Sequence, residues 1–556
     1  MRENTEEIYL LFHGRHIVHT REQEKLLWEV LNTPVGKLDL FGQTNINPEA
    51  KITHVVFAIT SANKSNSRFN PLPLHLRAIG VDRFFTPYRE NLCIGNTIVP
   101  IPHFNPTDKY VEILTKEIKN AENIALAPTN TIVLASTPGL INLYQRKGFA
   151  VLTGEYDMVE GKYKCRTPGD VVKRLSESAN WAEDSELRGM LAGPTNRFWQ
   201  NVSSVPKLIQ DIWTEPLLTD SGSLTETRDY STYAIGMSHK NLLEVKYNDI
   251  RKAITTGKIV DEGCADGALM TCIARDFPDA DLIGIEITSE FLALCHERQR
   301  RGEFGGAFTF FHQRNLMKPI FEQESIDSTI CNSTTHEIWS YGDGHESLKN
   351  YIKLKYDQTR VGGKLIIRDV VGPENKDKEV YLKLSSEDGS NDIKSTLPES
   401  QQELAKYLKG LSTKARFHHF ADYYLRGMRQ QGKRGPESIL RYRLERFEGE
   451  IYTVLSLKDA TEFITKKDYV DNFHSELNEE FAFFSFTDWK ELIKSVGFSI
   501  IENPNDPEAS SHVYTNEWVV KNRYEGKVGI FEMVDNKLVP VEYPPTNVVL
   551  IAEKLN

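Results

Sequence analysis

The sequence predicts an α/β protein with two parallel-sheet domains. The chain has 556 residues, more than one hydrophobic core usually organises. Short apolar runs alternate with amphipathic, helix-like segments, and this alternation is typical of parallel sheets with crossover helices. The alternation occurs twice, in two series separated by the polar stretch LLTDSGSLTETRDYS.

The first series predicts a domain over residues 1–215, followed by a linker at 216–232. Its strands are expected in EEIYLLFHG, THVVFAITSA, NTIVLAST and FAVLTGE. Helix-like segments such as REQEKLLWEVL and DKYVEILTKEIKNA lie between them. The linker is assigned from its Ser, Thr, Asp and Gly content.

The second series predicts a domain over residues 233–556. Strands are expected in GKIVDEGC, ADLIGIEI, GAFTFFHQ, SIDSTICNS and GGKLIIRDVV. At about residue 373 the alternation stops, and an insert that we expect to be mostly helical continues to about residue 480. The helix FTDWKELIKSVGF then resumes the series, with Thr487 as its expected cap. Two late strand signals, EWVVKNRY to KVGIF and TNVVLIAEKL, complete it.

Composition narrows the class of protein. A net charge of −11 argues against a chain that binds nucleic acid along its whole surface. No apolar run approaches the roughly 20 residues of a membrane span, so we expect no membrane association. Six cysteines without C-x-x-C pairing predict buried thiols in a reducing compartment, no zinc site and a cytoplasmic location.

The turn VDEGCADGAL joins a predicted strand to a predicted helix. A Walker loop needs Lys followed by Ser or Thr, which this turn lacks, and a dinucleotide G-x-G-x-x-G pattern fits only loosely. Small residues at alternate positions allow main chain to approach a ligand closely. The turn resembles the acid-x-Gly-x-Gly-x-Gly turn of class I S-adenosylmethionine-dependent methyltransferases, whose positions are filled by Asp261, Gly263, Ala265 and Gly267.

Later strand ends extend this resemblance. Glu286 ends the next strand, where the family has a carboxylate that accepts hydrogen bonds from the ribose. Asn315 stands where the family usually has an acid near adenine, and Asn332 and Ser333 follow the fourth strand. The segment Val361–Ile367 resembles the turn into the fifth strand. The resemblance implies a Rossmann-like, seven-stranded sheet that ends in an antiparallel hairpin, with S-adenosylmethionine as cofactor.

Catalytic candidates follow the fourth strand, because open α/β sheets bind ligands at the carboxyl ends of their strands. His336, Glu337 and Tyr341 are these candidates. His336 has an ordinary pKa near neutrality and is a candidate base for an acceptor that must lose a proton. The alternative is that His336 or Glu337 caps the following segment or pairs with Arg368.

The insert contains ARFHHFADYYLRGMRQQGKRG, in which basic and aromatic residues are interleaved. In the methyltransferase superfamily this position often carries a substrate lid. Interleaved cations and aromatics are suited to stacking bases and neutralising phosphates. The alternative interpretation is an amphipathic helix whose aromatics face the core. We expect a small-molecule or nucleotide-linked acceptor, with RNA such as tRNA as the alternative.

The N-terminal series resembles nucleotidylyltransferases, in particular nicotinamide-nucleotide adenylyltransferases. In FHGRHIVHTREQE, Gly14 and His19 match the G-x-F-x-x-x-H-x-G-H motif with one residue fewer between them, and Glu22 replaces the second histidine. SANKSNSRFNPLPLHLRAI, with Ser61, resembles the Ser-Ala turn and the Asn-Pro-Phe segment of that family. CRTPGDVVKRL resembles its late helix start, which implies that Arg166 and Thr167 lie near phosphates.

These resemblances imply a methyltransferase fused to a nucleotide-binding domain. Because Glu22 places a negative charge where the family has a donor, we expect the N-terminal domain to be a degenerate nucleotidylyltransferase. A bifunctional enzyme that also transfers nucleotidyl groups is one alternative. A non-catalytic assembly protein that keeps both cofactor folds is another.

Overall fold

The computed structural model describes residues 7–105, 107–215, 218, 240–503 and 505–556. The chain divides into two compact units, Met1–Glu226 and Thr227–Asn556. Most of the linker predicted at 216–232 lies outside the described residues.

The first unit is built on a parallel sheet with the strand order β3-β2-β1-β4-β5. Apolar clusters cover both faces of the sheet, which explains why its strands are nearly continuous apolar runs. The four strands expected from the sequence are present, and β3 is an additional one. The strands of this sheet are β1 Tyr9–Gly14, β2 His54–Ile59, β3 Gly95–Pro100, β4 Thr131–Leu134 and β5 Ala150–Leu152. A separate small hairpin consists of β6 Tyr156–Asp157 and β7 Lys162–Tyr163.

The helices of the first unit have local start signals. Thr20 and Gln23 form a reciprocal capping box before the first helix, and Thr167 and Asp170 form another further along. The helices span Arg21–Asn32, Leu74–Leu92, Tyr110–Glu122, Pro138–Arg146, Pro168–Glu177, Ser185–Met190, Gly193–Asn201 and Ser204–Thr214.

The second unit has a mixed sheet with the order β10-β9-β8-β11-β12-β20-β16. The first five strands of this order are parallel, and β20 runs antiparallel to β12 and β16. We predicted seven strands, but the sheet has eight because β17 also pairs with β20. The strands are β8 Lys258–Glu262, β9 Asp281–Glu286, β10 Phe308–Gln313, β11 Ile326–Asn332, β12 Thr359–Val370, β16 Ser499–Ile500, β17 His512–Tyr514 and β20 Asn547–Glu553.

The helices that flank this sheet follow the expected alternation. Ser485, and not Thr487, caps the helix Phe486–Val496, because the Ser485 side chain accepts from the Asp488 N–H; the helix ends at Gly497 with φ of +116°. The other flanking helices span Lys240–Asn248, Ala268–Asp276, Ser289–Arg300, Thr335–Tyr341 and His345–Gln358.

The insert is helical at QQELAKYLKGL and FHHFADYYLRGMRQQ, as expected, but ESILRYRLERF ends in a strand, and the insert contains a sheet that we did not predict. Residues 373–480 contribute three strands to a separate antiparallel sheet of order β14-β15-β13-β18-β19, beside the helices Gln401–Gly410, Thr413–Tyr423, Arg426–Gln430, Leu457–Lys466 and Phe473–Glu476. The segment RYRLERF alternates with a period of two residues and forms a strand. Glu448 and Gly449 then have φ of +50° and +89°, the backbone of a two-residue hairpin turn. These strands are β13 Glu379–Leu384, β14 Tyr442–Phe447 and β15 Glu450–Ser456.

The two late strand signals, EWVVKNRY to KVGIF and TNVVLIAEKL, do not form a hairpin with each other as expected. EWVVKNRY is helical over Glu517–Val519 and Val520–Tyr524, after an Asn516 cap. KVGIF belongs to β18 Val528–Val534, which pairs with β19 Lys537–Pro540 in the insert sheet. The antiparallel partners of TNVVLIAEKL are therefore β16, β17 and β12.

Candidate functional site

The turn after β8 has an unusual backbone. Gly263, Ala265 and Gly267 have φ of +71°, +47° and +76°, so every second residue is left-handed. The left-handed region has little steric cost for glycine and more for alanine. A Cβ on Gly263 would lie 2.5 Å from the Thr334 hydroxyl oxygen, which leaves no space for it. The small residues of this turn therefore allow both its conformation and its close packing.

Asp261 lies at the base of this turn. Its side chain is 3% exposed, and its Oδ2 is buried without a hydrogen-bond partner among the described residues. Burial, together with the charges of Glu262 and Glu286, raises the pKa of Asp261 to about 7. A buried polar atom without a partner is costly, so this carboxyl is suited to a ligand that donates hydrogen bonds.

Glu286 at the end of β9 is fixed by the main chain. Its carboxylate accepts hydrogen bonds from the N–H groups of Ile287 and Thr288, both at 2.9 Å, and from Ala265 at 3.1 Å. Burial raises the pKa of Glu286, and hydrogen bonds such as that from Thr288 oppose the rise. A carboxylate can accept about four hydrogen bonds, so Glu286 retains capacity for a hydroxyl. Three features together are compatible with a bound adenosylated amino acid and its ribose. They are the turn of small residues, the Asp261 oxygen without a hydrogen-bond partner among the described residues, and the Glu286 carboxylate held by main-chain N–H groups.

The other predicted cofactor residues have local partners. The Asn315 side-chain oxygen accepts from the Met317 N–H at 3.0 Å, so it stabilises the turn after β10. Asn332 Oδ1 accepts from the Ser333 hydroxyl at 3.2 Å. Ser333 has φ of +58°, and its N–H donates to the Arg368 carbonyl at 2.7 Å. Asn332 and Ser333 thus shape the turn at the end of β11.

His336 lies between two carboxylates. Its Nδ1 is 2.7 Å from Asp369 Oδ1, and its Nε2 is 3.5 Å from Glu479 Oε2. Burial alone would lower the pKa of His336, but Asp369 and Glu479 raise it well above its usual value. Burial likewise opposes ionisation of Asp369, yet His336 and Thr335 lower the pKa of Asp369 to about 2. The pair is therefore an imidazolium bound by carboxylates.

Of the other catalytic candidates, Tyr341 contacts the insert and Glu337 interacts electrostatically with it. The Tyr341 hydroxyl donates to Glu479 Oε1 at 3.2 Å. Glu337 is half-buried, and its charge raises the pKa of both Glu286 and Glu476. Arg368 binds Asp249 and Tyr514 instead of His336. Sequence reasoning missed Glu479, because it lies more than 130 residues from His336 in the chain and no local motif marks it.

The basic-aromatic segment of the insert is largely structural. Phe417, Phe420 and Tyr424 are buried in the insert core. The Arg416 guanidinium pairs with Asp468 at 2.8 Å, and Arg434 pairs with Glu480 at 3.0 Å. These contacts fit the amphipathic alternative.

The first unit has a cavity of about 840 Å³ at the carboxyl ends of β1, β2 and β4. Gly14, His19, Ser61 and Thr167 are among its lining residues. Ser61 lies 3.0 Å from His103 Nδ1, another residue of the lining. Thr167 caps the helix Pro168–Glu177.

Two residues of the N-terminal motif lie elsewhere. Arg166 is not among the lining residues; its side chain is 65% exposed and lies 3.8 Å from Glu186. Glu22 is also absent from the lining, is 41% exposed, and pairs with Lys25 at 2.9 Å. Its charge is therefore directed to solvent.

Burial holds three histidines of this cavity, His13, His16 and His19, in the neutral form, because it lowers the pKa of each. His16 Nδ1 lies 3.1 Å from His19 Nε2, and the His19 ring stacks on Phe84 with centroids 4.1 Å apart. Burial lowers the pKa of His16 to about 3 and that of His19 well below its usual value. Burial also lowers the pKa of His13 to about 4, and its Nε2 has no partner among the described residues.

Clusters of metal ligands and membrane-spanning helices are both absent from the described part of the chain. Within the described ranges, no group of three or more His, Cys, Asp or Glu side chains is arranged to hold a metal ion. The helices of the described part of the chain are all too short or too polar to cross a bilayer.

Comparison with known proteins identifies the second unit. Residues 255–426 match the family model described as a methyltransferase domain. This match begins just before β8 and ends within the insert. No curated protein sequence matches the chain.

Solved structures of methyltransferases resemble the chain at low identity. An S-adenosylmethionine-dependent methyltransferase from Methanosarcina mazei is 15% identical, covering 55% of this chain and 96% of its own, with a TM-score of 0.27. One from Clostridium acetobutylicum is 12% identical, covering 59% and 100%, with a TM-score of 0.28. Geranyl diphosphate C-methyltransferase from Streptomyces coelicolor, solved with S-adenosyl-L-homocysteine, is 10% identical, covering 61% and 89%, with a TM-score of 0.28.

Scores this low carry no argument about the activity or the acceptor of this chain. The family match and the fit of the β8 turn carry the assignment instead. Residues 255–426 therefore form a class I methyltransferase domain, and the chain is a methyltransferase enzyme that uses S-adenosylmethionine as its cofactor.

Proposed function

We propose that the enzyme methylates a small-molecule or nucleotide-linked acceptor bound between the end of β11 and the insert. The observation that carries this proposal is the attachment of the insert to the site. Glu479 binds Tyr341, and the Glu480 N–H donates to the Ser340 hydroxyl at 2.8 Å. The Arg434 guanidinium also donates to the carbonyls of Trp339 and Ser340. An insert bonded this closely to the strand ends favours a small acceptor over a long polymer.

When bound, the cofactor supplies an electrophilic methyl group on a sulfonium. The residues of the chain bind and orient the reacting groups and exclude water from them. Gly263, Ala265 and Gly267 let the main chain approach the cofactor, Asp261 accepts from its donors, and Glu286 accepts from its ribose hydroxyls. Catalysis rests on positioning, because the displacement creates little charge for the protein to stabilise.

Calorimetry with S-adenosyl-L-homocysteine tests the cofactor site. Binding to the wild-type chain, and its loss in Asp261→Ala with Glu286→Ala, is expected; equal binding by the variant would exclude these residues from the site. Methyl transfer from labelled cofactor to a metabolite library and to tRNA then tests the acceptor. Labelled tRNA, with binding that weakens as salt rises, would support the RNA alternative and overturn the small-acceptor proposal.

We also propose that the N-terminal cavity binds a nucleotide without transferring it. Four motif residues line the cavity, and Arg15 and Arg68 in the same lining supply positive charge. Transfer is disfavoured because His19 is neutral, stacked and close to His16, whereas a group that stabilises phosphate charge must present a donor.

Titration of the chain with ATP, CTP and nicotinamide mononucleotide tests this second proposal. We expect heat of binding with one of these three nucleotides and no release of pyrophosphate. Pyrophosphate release would favour the bifunctional alternative, and no heat with any of them would overturn nucleotide binding.

A further inference from the structure

The strand β14 lies at one edge of the insert sheet. It pairs with β15 on one side, and no other strand of the described residues pairs with its second side. An unpaired edge presents a row of main-chain N–H and C=O groups that can pair with another strand. Most residues of this strand are exposed, namely Tyr442, Arg443, Leu444 and Arg446. The second side of β14 is therefore open to a further strand.

The opposite edge of the same sheet is protected. The four-residue strand β19 carries exposed Lys537 and Pro540. Lysine and proline commonly keep sheet edges from pairing, because proline has no N–H and the lysine charge resists burial. In contrast, β14 has six residues and no proline, and its Leu444 is 57% exposed. Of these two edges, β14 is the one suited to pairing.

The hairpin turn determines which main-chain groups of β14 face outward. Phe447 and Glu450 lie opposite each other on either side of the two-residue turn Glu448–Gly449. Such a flanking pair is hydrogen-bonded, and pairs with and without hydrogen bonds then alternate along the two strands. The residues whose main-chain groups point away from β15 are therefore Tyr442, Leu444 and Arg446.

The side chains of these three residues share a face with the insert core. Tyr442 lies opposite Leu455, which is 4% exposed in that core. Leu444 lies opposite Thr453, and Ile451 is two residues before Thr453 on the same face of β15. Leu444 and Ile451 are 57% and 43% exposed. The apolar face of the sheet thus continues to its edge beyond the residues that the core covers.

We propose that β14 pairs antiparallel with β14 of a second copy of this chain, about a two-fold axis at Leu444. In this register Leu444 lies opposite Leu444 of the second copy, and Arg443 lies opposite Glu445 of the second copy. Tyr442 lies opposite Arg446 of the second copy, which places a cation beside an aromatic ring. The outward main-chain groups of the two strands then meet, and each such pair exchanges two hydrogen bonds.

Charge complementarity favours a second copy and selects this register. A two-fold interface uses the same surface twice, so the strand must be complementary to itself. An axis at Arg443 would place two arginines opposite each other, and an axis at Glu445 would place two glutamates opposite each other. Directly opposed like charges destabilise a strand pair, whereas opposite charges stabilise it. Of these three axis positions, only Leu444 brings opposite charges together while the apolar faces stay on one side.

The existing ion pairs on the other face of β14 are compatible with this pairing. Arg443 bonds Glu379 at 2.5 Å and lies 3.2 Å from Glu445 of its own chain. The side chains of Arg443 and Glu379 are 52% and 51% exposed, so water screens their interaction. Exposed pairs of this kind contribute little energy. They therefore set the register, while Leu444, Ile451 and the main-chain hydrogen bonds hold the copies together.

Sedimentation equilibrium of the full chain at about 1–100 μM tests the pairing, since interfaces below about 1,200 Å² associate weakly. The variants are Arg443→Glu, Glu445→Arg and Leu444→Lys. Val539→Lys is the matched control, because Val539 is 41% exposed in β19 at the opposite edge. Circular dichroism establishes that each variant is folded.

We expect wild type and Val539→Lys to dimerise with the same Kd. Arg443→Glu and Glu445→Arg should each raise the Kd at least about tenfold, because each places like charges opposite one another in both halves of the interface. An equimolar mixture of these two variants should restore the dimer, since the glutamates of one copy then face the arginines of the other. Leu444→Lys should abolish the dimer, because two lysines would meet on the axis.

The mixture separates pairing between copies from a structural role of Arg443 and Glu445 within one chain. A mixture that dimerises no better than either variant alone overturns the proposal. A wild-type chain that stays monomeric over the whole concentration range also overturns it. A dimer that Val539→Lys weakens as much as Leu444→Lys does, or that all β14 variants retain, would place the interface elsewhere and overturn it as well.

Discussion

The two units place histidines at the ends of parallel strands in opposite electrostatic settings. In the N-terminal cavity, His16 Nδ1 lies 3.1 Å from His19 Nε2, His19 stacks on Phe84, and burial keeps both imidazoles neutral. In the C-terminal cleft, His336 lies between Asp369 and Glu479 and is held charged. All three rings are buried. Burial alone therefore does not set the charge of an imidazole, because the charge also depends on the residues that are buried beside it.

The charged groups around these histidines also differ between the two units. Neutral rings and two arginines leave the N-terminal cavity without strong negative charge apart from Glu155. Burial raises the pKa of Glu155, which favours its neutral form. In the second unit, by contrast, His336 is accompanied by the acids Asp369 and Glu479.

The largest change in stability is expected for His336→Ala. Removing the imidazolium takes the neighbouring positive charge from the buried carboxylates of Asp369 and Glu479, so the free energy of unfolding should fall by about 3–5 kcal/mol. The folded pKa of His336 is raised, so its stabilisation is complete below the unfolded value of about 6.5 and is lost as pH rises through the folded pKa. Urea unfolding at several pH values measures this. His296→Ala on an exposed helix face is the control, and a deficit that grows toward alkaline pH would contradict the charge assignment.

His19→Ala should have a smaller effect with the opposite dependence on pH. Loss of a buried ring stacked on Phe84 should cost about 2–3 kcal/mol at pH 8. The folded pKa of His19 is lowered, so the unfolded chain gains a proton first as pH falls below about 6.5, and wild type loses stability that the variant keeps. The deficit should therefore shrink on acidification. Hydrogen exchange of the first unit, with exposed His75→Ala as control, checks this; a deficit independent of pH would mean that His19 is not held neutral.

Gly263→Ala should weaken cofactor binding. Its Cβ would collide with the Thr334 hydroxyl in a left-handed backbone, which costs about 1–3 kcal/mol, or about 5- to 150-fold in Kd if the turn opens. Gly302→Ala is a matched control, since Gly302 has the same φ of +71° with open space around it. Calorimetry measures the affinity of both variants for S-adenosyl-L-homocysteine. An equal loss of affinity in the two variants would mean that backbone strain alone causes the effect.

The smallest expected effect is that of Glu22→His. Glu22 faces solvent beside Lys25, so restoring the histidine of the N-terminal motif should change nucleotide affinity by less than about twofold, as for other exposed charges. Titration with the nucleotide that binds wild type measures this. A large gain in affinity would mean that residue 22 reaches the cavity.

Much of the parallel framework could be predicted from the sequence. Alternating apolar runs predicted the strands around both sites, because strands buried on two faces must be apolar nearly throughout. The turn at Asp261–Gly267 was recognisable because close approach and left-handed backbone both require small residues. The insert sheet was missed, since RYRLERF is short and charged and its hairpin turn, Glu448–Gly449, is easily overlooked.

The order of residues in the sequence by itself determined where each strand ends, and so which side chains, among them Asp261, Glu286 and His336, lie at a ligand-binding edge. Only the tertiary structure decided their chemistry. It brought Glu479 from the insert to His336, and it turned Glu22 away from the cavity. The physical reason is that the backbone pattern is local, whereas the charge of a buried group depends on neighbours that are distant in the chain.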